Sequence, residues 1–197
     1  QYASSVSPDD WTDITGTTLT VHPDQNAVYS FRVVSKGLSV GSETKNIIVK
    51  QDNTAPTNVA IKVDNNVFKS FINTISFGLF FKETQDVTFS ANADISGVNH
   101  FEYQVIDTQN GQKYDENGTW QTGSSVSVTP QFKGVIYARA VDNAGNVSGV
   151  VSTDGVTVEN IAPVVTGVAE KTYYIGRVIN YSDNFNDIKS AVYSKDG

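Results

Sequence analysis

Apolar and polar side chains alternate along short stretches of this chain, and turn residues separate the stretches. The clearest case is residues 134–149, where Ile136, Ala138 and Ala140 alternate with Tyr137 and Arg139. A period of two gives a strand one inner and one outer face. The Asp-Asn-Ala-Gly-Asn sequence that follows supplies side chains that bond local backbone and a glycine that tolerates positive φ. This stretch therefore predicts a strand, a tight turn and a second strand.

A weaker copy of the same pattern covers residues 27–41. Tyr29, Phe31 and Val33 take the inner positions of its first strand, and Gly37 marks the turn. The chain is therefore expected to contain an internal repeat.

Three residue types recur in both copies, at a spacing of 107 positions for arginine and proline and of 109 for tryptophan. They are Arg32 and Arg139, Pro56 and Pro163, and Trp11 and Trp120. A loop that differs by two residues accounts for the longer tryptophan spacing. A period of about 100 residues built from strands and turns is the size of one immunoglobulin-like β-sandwich. The repeating unit is therefore predicted to be a domain of that class.

The prolines divide the chain into one complete domain and two partial ones. We predict the C-terminal part of an Ig-like domain in residues 1–55, a complete domain in 56–162, and the N-terminal part of a further domain in 163–197. The last part is expected to hold strands near residues 164–168, 172–181 and 189–194. Proline forces the preceding residue into an extended conformation, so each joint should be short and stiff. Partial domains at both ends indicate a segment of a longer protein.

One part of the middle domain departs from the strand pattern. Apolar residues follow one another there at intervals of one, three or four, which is typical of one face of a helix. They are Phe68, Phe71, Ile72, Ile75 and Leu79. We therefore predict a short helix near residues 67–76. Its aromatic side chains either fill the core beside the small alanines of the long strand or form an exposed patch for a ligand. The core is favoured, because a large apolar cluster is unfavourable in water.

Composition narrows the possible functions. The chain contains no cysteine, which excludes disulfides, thiolate metal sites and a cysteine nucleophile. The absence of both cysteine and methionine fits an oxidising, extracellular location. A formal charge of −7 argues against nucleic acid and anionic membranes as partners, and no stretch is long and apolar enough to insert into a membrane.

Candidate chemistry is sparse, and the sequence predicts a protein that is not an enzyme and has no cofactor or metal. Only two histidines occur, His22 and His100, and neither belongs to a recognisable catalytic triad. Carboxylate pairs such as Asp9 and Asp10 lie in loop sequence and are interpreted as solvated charge. Residues 142–146 could offer oxygens to calcium, but the alternating acidic loop of a calcium site is missing, so a turn is favoured.

A binding function is the main alternative to a structural one. Tyr103, Tyr114 and Trp120 are candidate ligand-binding residues, because aromatic rings can stack on the apolar faces of sugars. Trp120 recurs as Trp11, however, and a ring conserved between two repeats is more often a packing residue than a ligand-binding one.

Several stretches together resemble the tandem Ig-like repeats of large surface proteins from Gram-positive, clostridia-type bacteria. They are IYARAVDNAGNVSG ahead of a proline joint, FGLFFKETQDVTFSA and FEYQV, while VYSFRVVS is similar to a fibronectin type III strand. The resemblance implies an adhesin, a cell-wall stalk, or a spacer or accessory module of a secreted carbohydrate-active enzyme, outside the cell.

The same resemblance implies the partners. They are neighbouring Ig-like domains of the same chain and a host glycan or protein, and head-to-tail self-association is a further expectation from the two partial ends. Some folds of this kind also join a lysine to an asparagine by an amide bond. Lys62 and Asn160 have a roughly suitable position in the predicted topology, although a surface lysine is the more common case.

Overall fold

A computed structural model describes residues 1–5, 7–20, 27–35, 37, 41–93, 95–167, 178–183 and 190–192. The described chain is all-β, with sixteen strands arranged in several mainly antiparallel sheets. It contains no helix within these ranges, and therefore no helix of the length and apolarity needed to cross a membrane.

The leading residues form a four-stranded antiparallel sheet with the strand order β2-β1-β3-β4. Its strands are β1 (Tyr2–Ser4), β2 (Ser7–Thr12), β3 (Ala27–Phe31) and β4 (Lys45–Val49). Ala27 and Tyr29 of β3 are buried while Val28 and Ser30 are partly exposed, as the alternating sequence predicts. Ile47 and Ile48 of β4 are exposed at 46% and 71%.

The middle residues form two sheets. The first has the order β11-β8-β5-β6 and consists of β5 (Thr57–Val63), β6 (Asn66–Phe68), β8 (Gln85–Asn92) and β11 (Ser125–Val128). The second has the order β10-β9-β12-β14-β7, with β13 paired to β12. It consists of β7 (Leu79–Phe81), β9 (Val98–Asp107), β10 (Gln121–Thr122), β12 (Phe132–Asp142), β13 (Val151–Ser152) and β14 (Val156–Val158). Within it, β14 and β7 run parallel.

These two sheets share one hydrophobic core. Its centre contains fully buried aliphatic side chains from both layers, namely Ile61, Val63 and Val87 from the first sheet and Ile136, Val156 and Val158 from the second. Ala138 and Ala140 of β12 are also fully buried, which confirms the inner face predicted from alternation. Phe68, Leu79 and Phe81 pack against the edge of this core.

The helix predicted for residues 67–76 is wrong. The segment completes β6 and then crosses as an irregular loop to β7 in the other sheet. Its backbone bonds to the β13 region instead of to itself: the Ser70 carbonyl accepts from Ser152 N at 3.1 Å, and Ile72 N donates to Ser152 Oγ at 2.8 Å. In a helix, the Ser70 carbonyl and the Ile72 N–H would instead form hydrogen bonds with backbone groups of the same segment. The apolar spacing at intervals of three and four therefore reflects a crossover that touches two sheets.

The end of the crossover is held by Asp154. Ser76 N donates to Asp154 Oδ1 at 2.6 Å, and the Ser76 hydroxyl bonds the same carboxylate. Phe77 adopts a positive φ of 52°, and its ring lies against Gly155, where a Cβ would approach ring atoms to 2.3 Å. Only glycine fits this contact without a shift.

The leading sheet and the second middle sheet use the same contacts at positions about 107 apart. Ala27 pairs with Val49 in the leading sheet, as Gly134 pairs with Val156 in the second middle sheet. Val33 N donates to the Ser42 hydroxyl, as Ala140 N donates to the Ser148 hydroxyl, and both bonds measure 2.9 Å. The recurrence of a side-chain bond as well as of strand register supports an internal repeat.

The last described strands, β15 (Val164–Thr166) and β16 (Asn180–Ser182), form a two-stranded antiparallel sheet. Of the strand expected at 172–181, Asn180 and Tyr181 lie in β16, while residues 178 and 179 precede it. Residues 190–192, within the strand expected at 189–194, are not in a strand, so that prediction is wrong for these residues. The remainder of those two predictions lies outside the described residues.

Candidate functional site

The outer face of the second middle sheet carries a group of aromatic and charged side chains. On β12, Tyr137 and Arg139 alternate with the buried Ile136 and Ala138 and so point away from the core. Strand register places Gln104 beside Tyr137 and Glu102 beside Arg139 on the same face.

Trp120 stacks against Arg139 on this face. The Arg139 guanidinium lies 4.2 Å from the ring centroid, within the range of a cation–π contact. Arg139 Nε also donates to Glu102 Oε2 at 2.6 Å, and Trp120 Nε1 donates to the Glu116 carbonyl at 3.0 Å. One face and the polar edge of the indole are therefore occupied by the protein itself.

Tyr114 adds a second part to the cluster. It comes from the loop after β9 and stacks on Tyr137 with ring centroids 4.2 Å apart and an interplanar angle of 17°. Its edge meets Trp120 at 6.3 Å. Phe71, from the crossover, lies 5.6 Å from Tyr114 and 5.7 Å from Tyr137, and is 42% exposed. We call Phe71, Tyr114, Trp120 and Tyr137 the outer aromatic cluster.

Burial changes the acidity of two of these rings. Removal from water raises the pKa of Tyr114, with the Glu116 charge acting in the same direction and Arg139 opposing both. Burial likewise raises the pKa of Tyr137. Both phenols are protonated at neutral pH, so they act as apolar rings with a hydroxyl donor.

Tyr103, the third predicted binding residue, lies on the opposite face of the sheet from Tyr114 and Trp120. It pairs with Ala138, is 8% exposed, and stacks on Phe89 inside the core at 5.3 Å. The three residues therefore do not form one surface. Sequence reasoning considered Phe71 for a ligand patch, but on a helix and apart from Tyr114 and Trp120. It missed Tyr137 as a member of the cluster and Arg139 as the partner of Trp120. Alternation along β12 carried the signal for the last two, because it places them opposite the core residues.

The tryptophan–arginine pair is repeated in the leading sheet. The Arg32 guanidinium lies 4.0 Å from the Trp11 ring, and Arg32 Nε donates to Gln1 Oε1 at 2.9 Å, as Arg139 does to Glu102. Two copies of the same stacked pair indicate a packing role for the tryptophans.

A second region of interest is the joint between the leading sheet and the middle sheets. Asp52 is only 8% exposed, and its carboxylate accepts the backbone N–H of Thr54 at 2.9 Å and of Ser96 at 3.0 Å. The side-chain amide of Asn146 donates to the Asp52 carbonyl at 3.0 Å and to Asp142 Oδ2 at 2.8 Å. The joint is therefore bonded to two loops of the middle unit.

Hydrogen bonds keep both carboxylates of the joint ionised. The nearby Ser96 hydroxyl, which makes no hydrogen bond of normal geometry, and the backbone N–H groups of Thr54 and Ser96, which do, hold the pKa of Asp52 below its usual range. Burial acts to raise the pKa of Asp142, but bonds from Asn146 and Ala144 outweigh it, so this pKa is also lowered. The negative charge of Asp52 opposes that lowering.

The Asp52 arrangement has a counterpart at the second joint. Glu159 occurs 107 residues after Asp52, and its Oε1 accepts the Ile161 N–H at 2.8 Å, two residues on, as Asp52 accepts that of Thr54. An acid at the start of each proline joint was a sequence signal for this contact, and sequence reasoning missed it.

The other candidate residues do not assemble into a reactive group in the described part of the chain. His22 lies outside the described residues, and His100 Nε2 is 3.6 Å from Glu102 Oε1. No group of three metal-ligating side chains is found among the described residues. Lys62 is exposed on β5, and Asn160 Oδ1 accepts a bond from Gln131 at 3.3 Å.

Comparison of the chain with protein-family models, with curated proteins and with solved structures found no match.

Proposed function

We propose that this chain is a segment of tandem Ig-like β-sandwich repeats from an extracellular bacterial surface protein, and that it is a non-catalytic spacer. In this proposal residues 56–162 are one complete domain, and the flanking residues belong to its neighbours. The work of such a segment is to hold a binding or catalytic domain at a distance from the cell.

The bonded joint carries this proposal. A spacer needs neighbouring units that do not swing freely, and Pro56 restricts only the end of the connector between β4 and β5, residues 50–56, so its remaining residues need other contacts to be held. Here Asp52 is buried and makes side-chain and backbone bonds to Ser96 and Asn146 in the following unit. The repeated contacts of the leading and middle sheets add support, since arrays of similar units are typical of rods.

The proposal predicts a fixed distance across the joint. Because the chain has no cysteine, spin labels can be placed at Asn46→Cys and Thr88→Cys, two exposed strand positions on either side of Asp52. Electron–electron double resonance should give a narrow distance distribution. Asn146→Ala removes both amide bonds at the joint and should broaden it.

The matched control is Asn117→Ala, because that exposed side chain lies in a loop away from the joint. It should leave the distribution unchanged. A distribution that is already broad in the unaltered joint, or that does not respond to Asn146→Ala, would contradict a stiff spacer.

The second candidate function is binding of a host glycan or protein at the outer aromatic cluster. The observation that favours it is the 42% exposure of the Phe71 ring beside Tyr114, which leaves an apolar surface of the kind that stacks on sugars. The full chain on a glycan array tests this function. Phe71→Ala should abolish any binding, whereas Phe80→Ala, which removes a ring 60% exposed on β7, should not. No binding by the unaltered chain, or equal binding by both variants, would rule against it.

A further inference from the structure

The loop between β9 and β10 contains two Asn-Gly pairs, Asn110-Gly111 and Asn117-Gly118. Glycine has no Cβ, so its backbone nitrogen reaches the side-chain carbonyl carbon of a preceding asparagine more readily than the nitrogen of any other residue. Both asparagines are exposed to water. The fold holds the two pairs in different ways.

Asn110 lies in an open turn at the surface of the middle unit. Asn110 Nδ2 donates to Asp107 Oδ2 at 2.6 Å, and Gly111 N donates to the Thr108 carbonyl at 3.2 Å. Gly111 is exposed with a φ of +70°, and nothing lies within 4 Å of the position that a Cβ would take there. The Gly111 nitrogen therefore has room to turn towards the Asn110 side chain once these two local bonds open.

Asn117 lies in a part of the loop that is held to the sheet. The Asp115 carbonyl accepts from Gln104 Nε2 on β9 at 2.7 Å. The Glu116 carbonyl accepts from Trp120 Nε1 at 3.0 Å. The glycine that follows Asn117 is only partly exposed, and a Cβ on it would meet the Asp115 carbonyl at 3.1 Å. Rotation of this backbone disturbs contacts with β9 and the indole as well as local bonds.

We propose that Asn110 is a site of spontaneous deamidation, with water as the co-reactant. The Gly111 nitrogen bonds to Cγ of Asn110, the Cγ–Nδ2 bond breaks, and ammonia leaves with the proton of the Gly111 nitrogen. Water then opens the resulting five-membered imide at either carbonyl and gives aspartate or isoaspartate. The site lies within the middle unit and does not depend on the spacer role.

The products undo the turn that begins the loop. In the aspartate product, Asp107 Oδ2 loses its N–H donor and faces a second carboxylate. Isoaspartate adds one atom to the main chain, so the 3.2 Å bonds that Gly111 N and Gln112 N donate across the turn cannot both keep their geometry. Because Tyr114 follows two residues after Gln112, deamidation loosens the part of the loop that brings Tyr114 to the outer aromatic cluster.

Incubation of the full chain in mildly alkaline ¹⁸O-water tests the proposal. Hydrolysis of the imide places one ¹⁸O atom at the converted residue, and trypsin separates the two sites because Lys113 lies between them. Asn110 should take up label at least about fivefold faster than Asn117, since one hydrogen bond changes a local opening equilibrium by about this factor. In urea, where the contacts with the sheet are absent, the two sites should react at similar rates.

Two variants give matched controls. Trp120→Phe keeps an aromatic ring but removes the donor to the Glu116 carbonyl, so it should accelerate labelling of Asn117 about fivefold and leave that of Asn110 unchanged. Asn110→Gln should take up no label at position 110, because its longer side chain closes a six-membered ring far more slowly. After incubation, the Gln112 amide should exchange faster with solvent in the unaltered chain and stay as protected as before in Asn110→Gln.

Three results would overturn the proposal. Equal labelling of Asn110 and Asn117 in the folded chain, or the same ratio in urea, would mean that the fold does not select the site. No label at Asn110 in the folded chain, under conditions in which the unfolded chain reacts, would show that the turn protects it. Unchanged exchange at Gln112 in the labelled chain would contradict a loosened turn.

Discussion

At the scale of single residues, a stacked arginine and tryptophan recur in two units. The guanidiniums of Arg32 and Arg139 lie 4.0 and 4.2 Å from the rings of Trp11 and Trp120. Each arginine also donates to a side-chain oxygen, Arg32 to Gln1 just before β1 and Arg139 to Glu102 on β9. The pairing covers the outer face of the sheet with an aromatic ring, and the charged group keeps its hydrogen bonds.

Loss of this pairing should lower stability. Arg139→Ala removes the cation–π contact and the bond to Glu102 at a site where both side chains are only 22% exposed. A decrease of about 1–3 kcal/mol in the free energy of unfolding is expected. Urea denaturation of the full chain measures it, with the exposed Lys62→Ala as control. Equal stability of the two variants would show that the stacked pair is not stabilising.

The buried Asp142 gives a pH-dependent prediction. Its pKa is lower in the folded protein than in the unfolded chain, because its carboxylate accepts bonds from Asn146 and Ala144. A lowered folded-state pKa stabilises the protein above the unfolded value of about 3.9, and this contribution disappears as the pH falls through the folded value.

Asp142→Asn should therefore be less stable than the natural chain at pH 7, and the difference should shrink below about pH 4. Carboxyl ¹³C shifts give the pKa directly. A value at or above that of a free aspartate, or a stability difference that does not change with pH, would contradict the assigned bonds.

At the scale of elements, the strands that sequence reasoning predicted well are those with one clear inner face. On β12 the alternation of Ile136 and Ala138 with Tyr137 and Arg139 predicted the strand and its core face, although Tyr137 on the outer face is also buried, under Phe71 and Tyr114. Apolar spacing wrongly predicted a helix for residues 67–76, because the backbone N–H groups of Ile72 and Ser76 bond the side chains of Ser152 and Asp154, about 80 residues away. Local periodicity carries no information about such bonds.

The candidate site was predictable to a similar extent. Tyr114 and Trp120 belong to the outer aromatic cluster. Tyr103 faces the core, since it alternates on β9 with Glu102 and Gln104, which lie on the outer face. Which of two alternating faces is buried depends on the second sheet, and a single strand sequence does not specify that. The joint contact of Asp52 with Ser96 could not be predicted either, because it depends on how two units meet.

Close strand packing at Gly134 gives a prediction for the second sheet. A Cβ at this buried position would meet the Ile106 carbonyl at 2.0 Å and the Phe132 ring at 2.6 Å. Gly134→Ala should therefore force a backbone shift and destabilise the middle unit by about 1–3 kcal/mol.

The matched control for that substitution is Gly149→Ala, where nothing lies within 4 Å of the new methyl group. It should change the free energy of unfolding by less than about 0.5 kcal/mol. If thermal or urea unfolding shows no difference between the two variants, the packing of β9 against β12 is looser than described.

At the scale of the whole molecule, the account depends on two units that repeat one set of contacts and on a joint that is bonded rather than free. The leading and middle sheets share strand register and the stacked arginine. Asp52, Ser96 and Asn146 connect them. A spacer follows from these features only if the two units keep one orientation in solution.

The most direct test is the measurement of residual dipolar couplings for backbone amides of the full chain in a weakly aligning medium. Couplings from the leading sheet and from the two middle sheets should fit one alignment tensor, with magnitude and orientation in common. Two tensors that differ in magnitude, as independently moving units give, would contradict the bonded joint and the spacer function that rests on it.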